Sequence, residues 1–139
     1  MKRIAVLGSS GSIGQSTLSV VRSLPKQFKV VALSVNSDIE NLYKQVKEFQ
    51  PPCVCIRDKK AAFDFTKKVK GKVKIFVEEE GLCEFVKDRR IERIMFAISG
   101  SAAFEPLISA IEAGKDIALA NKEALVMAGP IIMRIARKH

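Results

Sequence analysis

The run Gly8-Ser9-Ser10-Gly11-Ser12-Ile13-Gly14 has the composition of a loop that grips phosphate through its backbone. Its three glycines allow a tight reversal, a close approach of main chain to a pyrophosphate, and the packing of a helix onto a strand. The flanks agree with that use. Ile4-Ala5-Val6-Leu7 is a short apolar run of the kind buried on both faces of a parallel sheet, while Ile13, Thr17, Val20, Val21 and Leu24 recur at helical spacing. The first amides and the dipole of that helix then face the anion. The spacing is Gly-x-x-Gly-x-x-Gly rather than the commoner Gly-x-Gly-x-x-Gly, so the strand and helix on either side carry more weight than the pattern. A P-loop is excluded: Gln15 and Ser16 stand where that motif needs a lysine and a hydroxyl, leaving no cation for a terminal phosphate.

Three further clusters have residue types suited to binding. Ser34-Val35-Asn36-Ser37-Asp38 follows a second apolar run, where a dinucleotide fold meets the adenosine ribose. Asp38 could hold a free ribose 2′-hydroxyl. Alternatively, Ser37 and Glu40 read as a Ser-x-x-Glu capping box that places Asp38 in a first helical turn, and the two roles can coexist. Ser99-Gly100-Ser101-Ala102-Ala103 is small enough for a flat ring to approach its backbone, or is simply a tight turn into a helix. Ala120-Asn121-Lys122-Glu123-Ala124 sets an amide, a cation and a carboxylate side by side. There Lys122 would bind a substrate oxygen or phosphate and Asn121 and Glu123 the ribose or nicotinamide end of a cofactor, unless Asn121 only caps a helix.

These clusters need a scaffold that brings them to one edge, and the alternation of periodicities supplies it. After the first unit, strands are predicted at Phe28 to Leu33, Cys53 to Ile56, Val73 to Val77, Ile94 to Ile98 and Ile117 to Leu119. Between them lie helices marked by Ile39, Leu42, Tyr43, Val46 and Phe49, stopped by Pro51-Pro52; by Ala62, Phe65 and Val69 behind a capping Asp58; by Leu82, Phe85 and Val86 behind Glu78, Glu79 and Glu80; and by Phe104, Leu107, Ile108 and Ile111, ended by Gly114. A last helix is expected from about Lys122. The pattern predicts a Rossmann-type α/β fold: a doubly wound parallel sheet with helices on both faces. Ligands of such a sheet bind at the carboxyl ends of its strands, where the loops after strands one, two, five and six would converge.

With 139 residues, 47% hydrophobic and 28% charged, the chain suits one globular domain. No apolar run reaches transmembrane length, and Met1-Lys2-Arg3 leads straight into a strand rather than a signal peptide, so a cytoplasmic protein is expected. Cys53, Cys55 and Cys83 read as core residues; with a single histidine, His139, no metal site is expected within the chain. The formal charge of +9 owes much to Lys59, Lys60, Lys67, Lys68, Lys70, Lys72 and Lys74. Without a helix-turn-helix, zinc-finger or RNA-binding aromatic motif, that run reads as a solvated face, and attraction for anionic cofactors and sugar phosphates is its most economical use.

The loop Gly8 to Leu18, together with Ala113-Gly114-Lys115 and Leu119-Ala120-Asn121-Lys122-Glu123-Ala124-Leu125-Val126, resembles the 1-deoxy-D-xylulose 5-phosphate reductoisomerase family in order and spacing over the whole chain. The resemblance implies the N-terminal NADPH-binding domain of an enzyme that forms 2-C-methyl-D-erythritol 4-phosphate in nonmevalonate isoprenoid biosynthesis. Catalytic and C-terminal domains, a homodimer and a divalent cation, Mg²⁺ or Mn²⁺, would belong to the intact protein. Carried over by position, Gly8, Ser10, Gly11, Ser12 and Ile13 would contact the cofactor phosphates, with Ser10 where the family usually has threonine. Asn36, Ser37 and Asp38 would lie by the 2′-phosphate, where the family often has Gly-Lys-Asn. Asn121 and Glu123 would contact cofactor, and Lys122 substrate. The stretch from Gly100 to Phe104 departs from the family's usual Gly-Ala-Ala-Gly-Leu. The resemblance puts no catalytic carboxylate or metal ligand within residues 1–139, so the sequence is read as a truncated product or fragment. Two alternatives remain at this point: the cofactor domain of another NAD(P)-dependent dehydrogenase, against which the Asn-Lys-Glu turn counts, and a noncatalytic nucleotide- or nucleic-acid-binding module.

Overall fold

The computed structural model describes residues 1–98, 101–120, 134 and 136–138. The elements run β1 (Lys2–Leu7), α1 (Ser12–Ser23), β2 (Phe28–Val35), α2 (Ile39–Phe49), β3 (Cys53–Ile56), α3 (Lys59–Lys68), β4 (Lys74–Val77), α4 (Glu78–Phe85), β5 (Arg93–Phe96), a 3-10 turn (Ser101–Ala103), α5 (Phe104–Glu112) and β6 (Asp116–Leu119). All strands pair in parallel in the order β4-β3-β2-β1-β5-β6. Strand order reverses between β1 and β5, because α4 carries the chain back across the sheet. That is the topological switch point at which open α/β sheets bind ligands.

Each strand sends alternate residues to two apolar layers. Val6, Leu33, Val54 and Ile56 pack with Leu18, Val21, Leu42 and Phe65 beneath α1 to α3. Ala5, Leu7, Cys53, Cys55 and Phe96 pack with Leu82, Phe85, Leu107 and Ile111 beneath α4 and α5. The two cysteines of β3 thus share one face, and burial pushes their thiols up to about 11 at Cys53 and about 12 at Cys55, where they are inert. Helix ends follow local chemistry: Asp58 caps α3 by accepting from the Ala61 amide, and α2 stops at Gln50 in a left-handed conformation just before the two prolines. The lysines of the basic run are exposed, as expected of a solvated face.

Several expectations require correction. The buried face of α1 is Gly14, Leu18 and Val21, whereas Ile13 and Val20 are about half exposed. The apolar spacing misses this phase because the buried face of α1 begins at Gly14, which packs against the backbone of Gly8 and Ser9 and which hydrophobic periodicity does not count. In α5 the buried residues are Pro106, Leu107, Ala110 and Ile111, with Phe104 and Ile108 only partly covered. Strand β2 runs on to Val35, and β5 ends at Phe96 rather than Ile98. The helix expected from Lys122 lies largely outside the described residues.

Candidate cofactor site

The loop between β1 and α1 lies at the carboxyl end of β1, beside the switch point. Ala97 continues the neighbouring ladder, its amide donating to the Leu7 carbonyl at 2.9 Å. The three glycines have three different reasons to be glycine. Gly8 has φ +82°, and a Cβ there would stand 2.7 Å from the Ala97 carbonyl oxygen. Gly14 begins the buried face of α1, and a Cβ there would fall 2.1 Å from the Gly8 carbonyl oxygen and 2.7 Å from the Ser9 Cα. Gly11 is unlike both. It has ordinary extended backbone, φ −77° and ψ 174°, and a Cβ would meet nothing nearer than the Gly8 carbonyl oxygen at 3.6 Å. The chain itself does not require glycine at that position, so the space Gly11 leaves is on the outside, where an incoming group would approach.

Gly11 is also the N-cap of α1 and has no side chain with which to cap it. The amides of the first turn, from Ser12 onward, are left to an external acceptor, and the dipole favours an anion there. The surroundings suit that role. Ser10 is half-buried, whereas Gly11, Ser12 and Ile13 face solvent.

Behind the loop is a polar network that sequence reasoning missed. The Gly8 and Ser9 amides donate to the Ser34 carbonyl at 3.0 and 2.9 Å, and the Gly8 amide also lies 3.3 Å from the Ser34 Oγ. Ser9 Oγ donates to Gln45 Oε1 at 2.7 Å, and Gln45 Nε2 donates back to the Ser9 carbonyl at 3.0 Å. Gln45 lies within the helical stretch of α2, but apolar periodicity counts only hydrophobic residues and does not mark it. A glutamine on the buried stripe of Leu42 was the available signal.

The structure places Asn36 and Ser37, both exposed, at the carboxyl end of β2 beside this loop. It corrects the capping assignment: Asp38, not Ser37, is the N-cap of α2. One carboxylate oxygen accepts from the Asn41 amide at 3.2 Å and the other from Asn41 Nδ2 at 2.7 Å. Asp58 extends this edge, its amide donating to the Asn36 carbonyl at 2.8 Å. Asn121, Lys122, Glu123, Ser99 and Gly100 lie outside the described residues.

Asp88, Arg90 and Lys115 sit at the other end of the strands. Asp88 is held down to about 2, chiefly by its hydrogen bonds from the Arg90 side chain. Lys115 Nζ donates to the carbonyls of Asp88 and Ile91, each at 2.7 Å, and burial lowers its pKa. These groups tie the loops before β5 and β6. A cleft of about 660 Å³ at that same end is lined by Tyr43, Lys47, Lys70 and Lys72. Lys47, like Lys67 and Lys68, lies in a last helical turn, where a cation complements the C-terminal dipole. Among the described residues no group of three potential metal ligands converges, and no helix is long and apolar enough to cross a membrane.

Comparison with known proteins decides which dinucleotide-type fold this is. The family profile of 1-deoxy-D-xylulose 5-phosphate reductoisomerase matches residues 4–129. The chain belongs to this family. It is 42% identical over 134 residues to the 1-deoxy-D-xylulose 5-phosphate reductoisomerase of Thermodesulfovibrio yellowstonii, covering 96% of this chain and 35% of that protein. It is 45% identical over 141 residues to the enzyme of the same name from Chlorobaculum tepidum, covering 100% of this chain and 37% of that protein. A crystal structure of DOX-P reductoisomerase in complex with NADPH, fosmidomycin and magnesium superposes with a TM-score of 0.95 at 35% identity, over 100% of this chain and 35% of that one. The chain thus spans about a third of the length of these relatives.

Proposed function

We infer that residues 1–139 are the NADPH-binding N-terminal domain of an enzyme that converts 1-deoxy-D-xylulose 5-phosphate to 2-C-methyl-D-erythritol 4-phosphate in nonmevalonate isoprenoid synthesis. The observation that carries this reading is Gly11, a glycine at the head of an uncapped helix with no reason within the chain to lack a side chain, in a member of this family. The residues present fit the cofactor. Ser10, Ser12 and Ile13 would receive its pyrophosphate on backbone amides and the Ser10 and Ser12 hydroxyls, while Gly8 and Gly11, whose amides are bonded within the chain, would shape the loop and leave room for the phosphates. Asn36, Ser37 and Asp38 would border the adenosine 2′-phosphate, and Asn121 and Glu123 the rest of the cofactor. When bound, NADPH supplies a hydride.

Lys122 would bind the sugar phosphate through a charge-assisted contact to its oxygens, next to the cofactor residues on either side of it in sequence. The ligands of a Mg²⁺ or Mn²⁺ ion belong to the catalytic domain of the intact enzyme, which with the C-terminal domain would lie outside residues 1–139. In this reading the intact enzyme is cytoplasmic and acts as a homodimer.

The test separates binding from turnover. Residues 1–139 are expected to bind NADPH in calorimetry without consuming it when 1-deoxy-D-xylulose 5-phosphate and Mg²⁺ are added, since reaction needs the substrate held and polarised by a completed metal site. In a protein that also contains the catalytic domain, Lys122→Ala should raise KM for the sugar phosphate far more than it changes NADPH affinity. Turnover by residues 1–139 alone, or unaltered substrate kinetics in the Lys122→Ala enzyme, would refute the assignment.

A further inference from the structure

Among the described residues, the polar side chains belonging to buried residues are those of Ser9, Ser34 and Gln45, and all three meet at the back of one loop. Burying an amide and two hydroxyls inside an apolar layer costs free energy, and in an ordinary core the positions would be filled by aliphatic side chains. Here the cost is met with directed hydrogen bonds. Ser34 takes the amides of Gly8 and Ser9 on its carbonyl oxygen, while Gln45 closes a reciprocal pair with Ser9 across 36 residues of sequence. These bonds use up the inward polar groups of Gly8 and Ser9. The Gly11 amide turns back onto the Gly8 carbonyl at 3.2 Å, so what remains to face outward is the stretch of backbone from the Ser12 amide on, which is the part that would meet a ligand.

Gln45 also ties two sites together. It lies about two turns into α2, whose N-cap, Asp38, sits beside Asn36 and Ser37 at the proposed 2′-phosphate edge. One rigid helix therefore connects that edge to the phosphate loop. We propose that Gln45, acting through Ser9, is a positioning residue that presets the loop amides for the cofactor pyrophosphate. It touches no cofactor atom. Its effect is to remove the cost of ordering the loop at the moment of binding, so losing it should weaken ligands in proportion to their use of the loop.

This rests on the NADPH reading above, and the experiment is chosen so that the two can fail separately. Gln45→Leu keeps the bulk of the side chain and deletes both hydrogen bonds; Ser9→Ala deletes only the hydroxyl and serves if the first variant does not fold. Affinity is measured for NADPH and for adenosine 2′-phosphate, which has no pyrophosphate. NADPH binding is expected to weaken about tenfold in Gln45→Leu and in the same direction in Ser9→Ala, with adenosine 2′-phosphate unchanged within about twofold. A general loss of structure would weaken both ligands alike, and that result would overturn the proposal, as would NADPH affinity within about twofold of the parent in either folded variant. A parent protein that binds no NADPH would overturn both this proposal and the functional reading beneath it.

Discussion

Replacing Gly11 and Gly14 one at a time should separate cofactor binding from folding, although the two glycines lie in the same turn. At Gly14 an added methyl group would stand 2.1 Å from the Gly8 carbonyl oxygen and 2.7 Å from the Ser9 Cα. Both obstacles are backbone, so α1 or the loop must move. Alanine recovers up to about 1 kcal/mol of helix propensity, against an overpacking cost of about 1 to 3 kcal/mol. The net expectation for Gly14→Ala is a loss of about 1 to 2 kcal/mol, which lowers Tm by roughly 3 to 8 °C for a chain of this size. At Gly11 the nearest atom to the new Cβ is 3.6 Å away and the backbone is in a region any residue adopts, so Gly11→Val should cost less than about 1 kcal/mol, mostly from a poorer N-cap. Its cost falls on the ligand instead. The isopropyl group occupies the outer space, so NADPH and NADH should both weaken by about 1 to 3 kcal/mol as loop amides lose their acceptor. Thermal or urea denaturation reads the first effect and titration calorimetry the second. A folded Gly11→Val protein with parental affinity, or a Gly14→Ala protein as stable as the parent, would refute the reasoning.

Three more outcomes follow from particular contacts. Asp38→Asn keeps a capping side chain on α2 and removes a negative charge at the proposed 2′-phosphate edge, so stability should change by less than about 0.5 kcal/mol while NADPH, but not NADH, gains on the order of 1 kcal/mol in calorimetry. Equal changes for both cofactors would show that Asp38 is remote from the 2′-phosphate. Asp38→Ala should cost about 1 kcal/mol in urea denaturation through loss of the cap, and an unchanged midpoint would contradict the Asn41 contacts. Asp88, held near 2 in the folded protein against an ordinary 3.8, contributes stability that is fully present above about pH 5 and is lost as pH falls from about 4 through 2. Asp88→Asn should therefore cost about 1 to 2 kcal/mol at pH 7, with the difference shrinking as pH falls through that window; a pH-independent difference would contradict the linkage.

The fold was legible because its strands are apolar runs bounded by glycine, proline and acidic caps, and each such boundary has a local cause. Asp58 caps α3 and Gly114 ends α5 as their chemistry dictates. Local rules failed where tertiary contacts decide. The face of α1 turns on Gly14 meeting Gly8, and Ser37 yielded the cap to Asp38, whose carboxylate reaches both the amide and the side chain of Asn41. The glycine loop was readable as a phosphate site, but its support was not. Gln45 and Ser9 are 36 residues apart, and only the pairing of β1 with β2 and the return of α2 over the sheet bring them together. The separate reasons for Gly8, Gly11 and Gly14 likewise required a view of what each would strike.

The central claim, that the loop at the head of α1 receives the cofactor pyrophosphate, is tested most directly by titrating NADPH into ¹⁵N-labelled protein and following the backbone amides. Saturable shifts should centre on Gly11, Ser12 and Ile13 and extend to Asn36 and Ser37. Adenosine 2′-phosphate should move the latter pair and leave the loop amides in place. Shifts confined instead to the basic cleft around Tyr43, Lys47 and Lys72, with the loop amides unmoved by NADPH, would contradict the account.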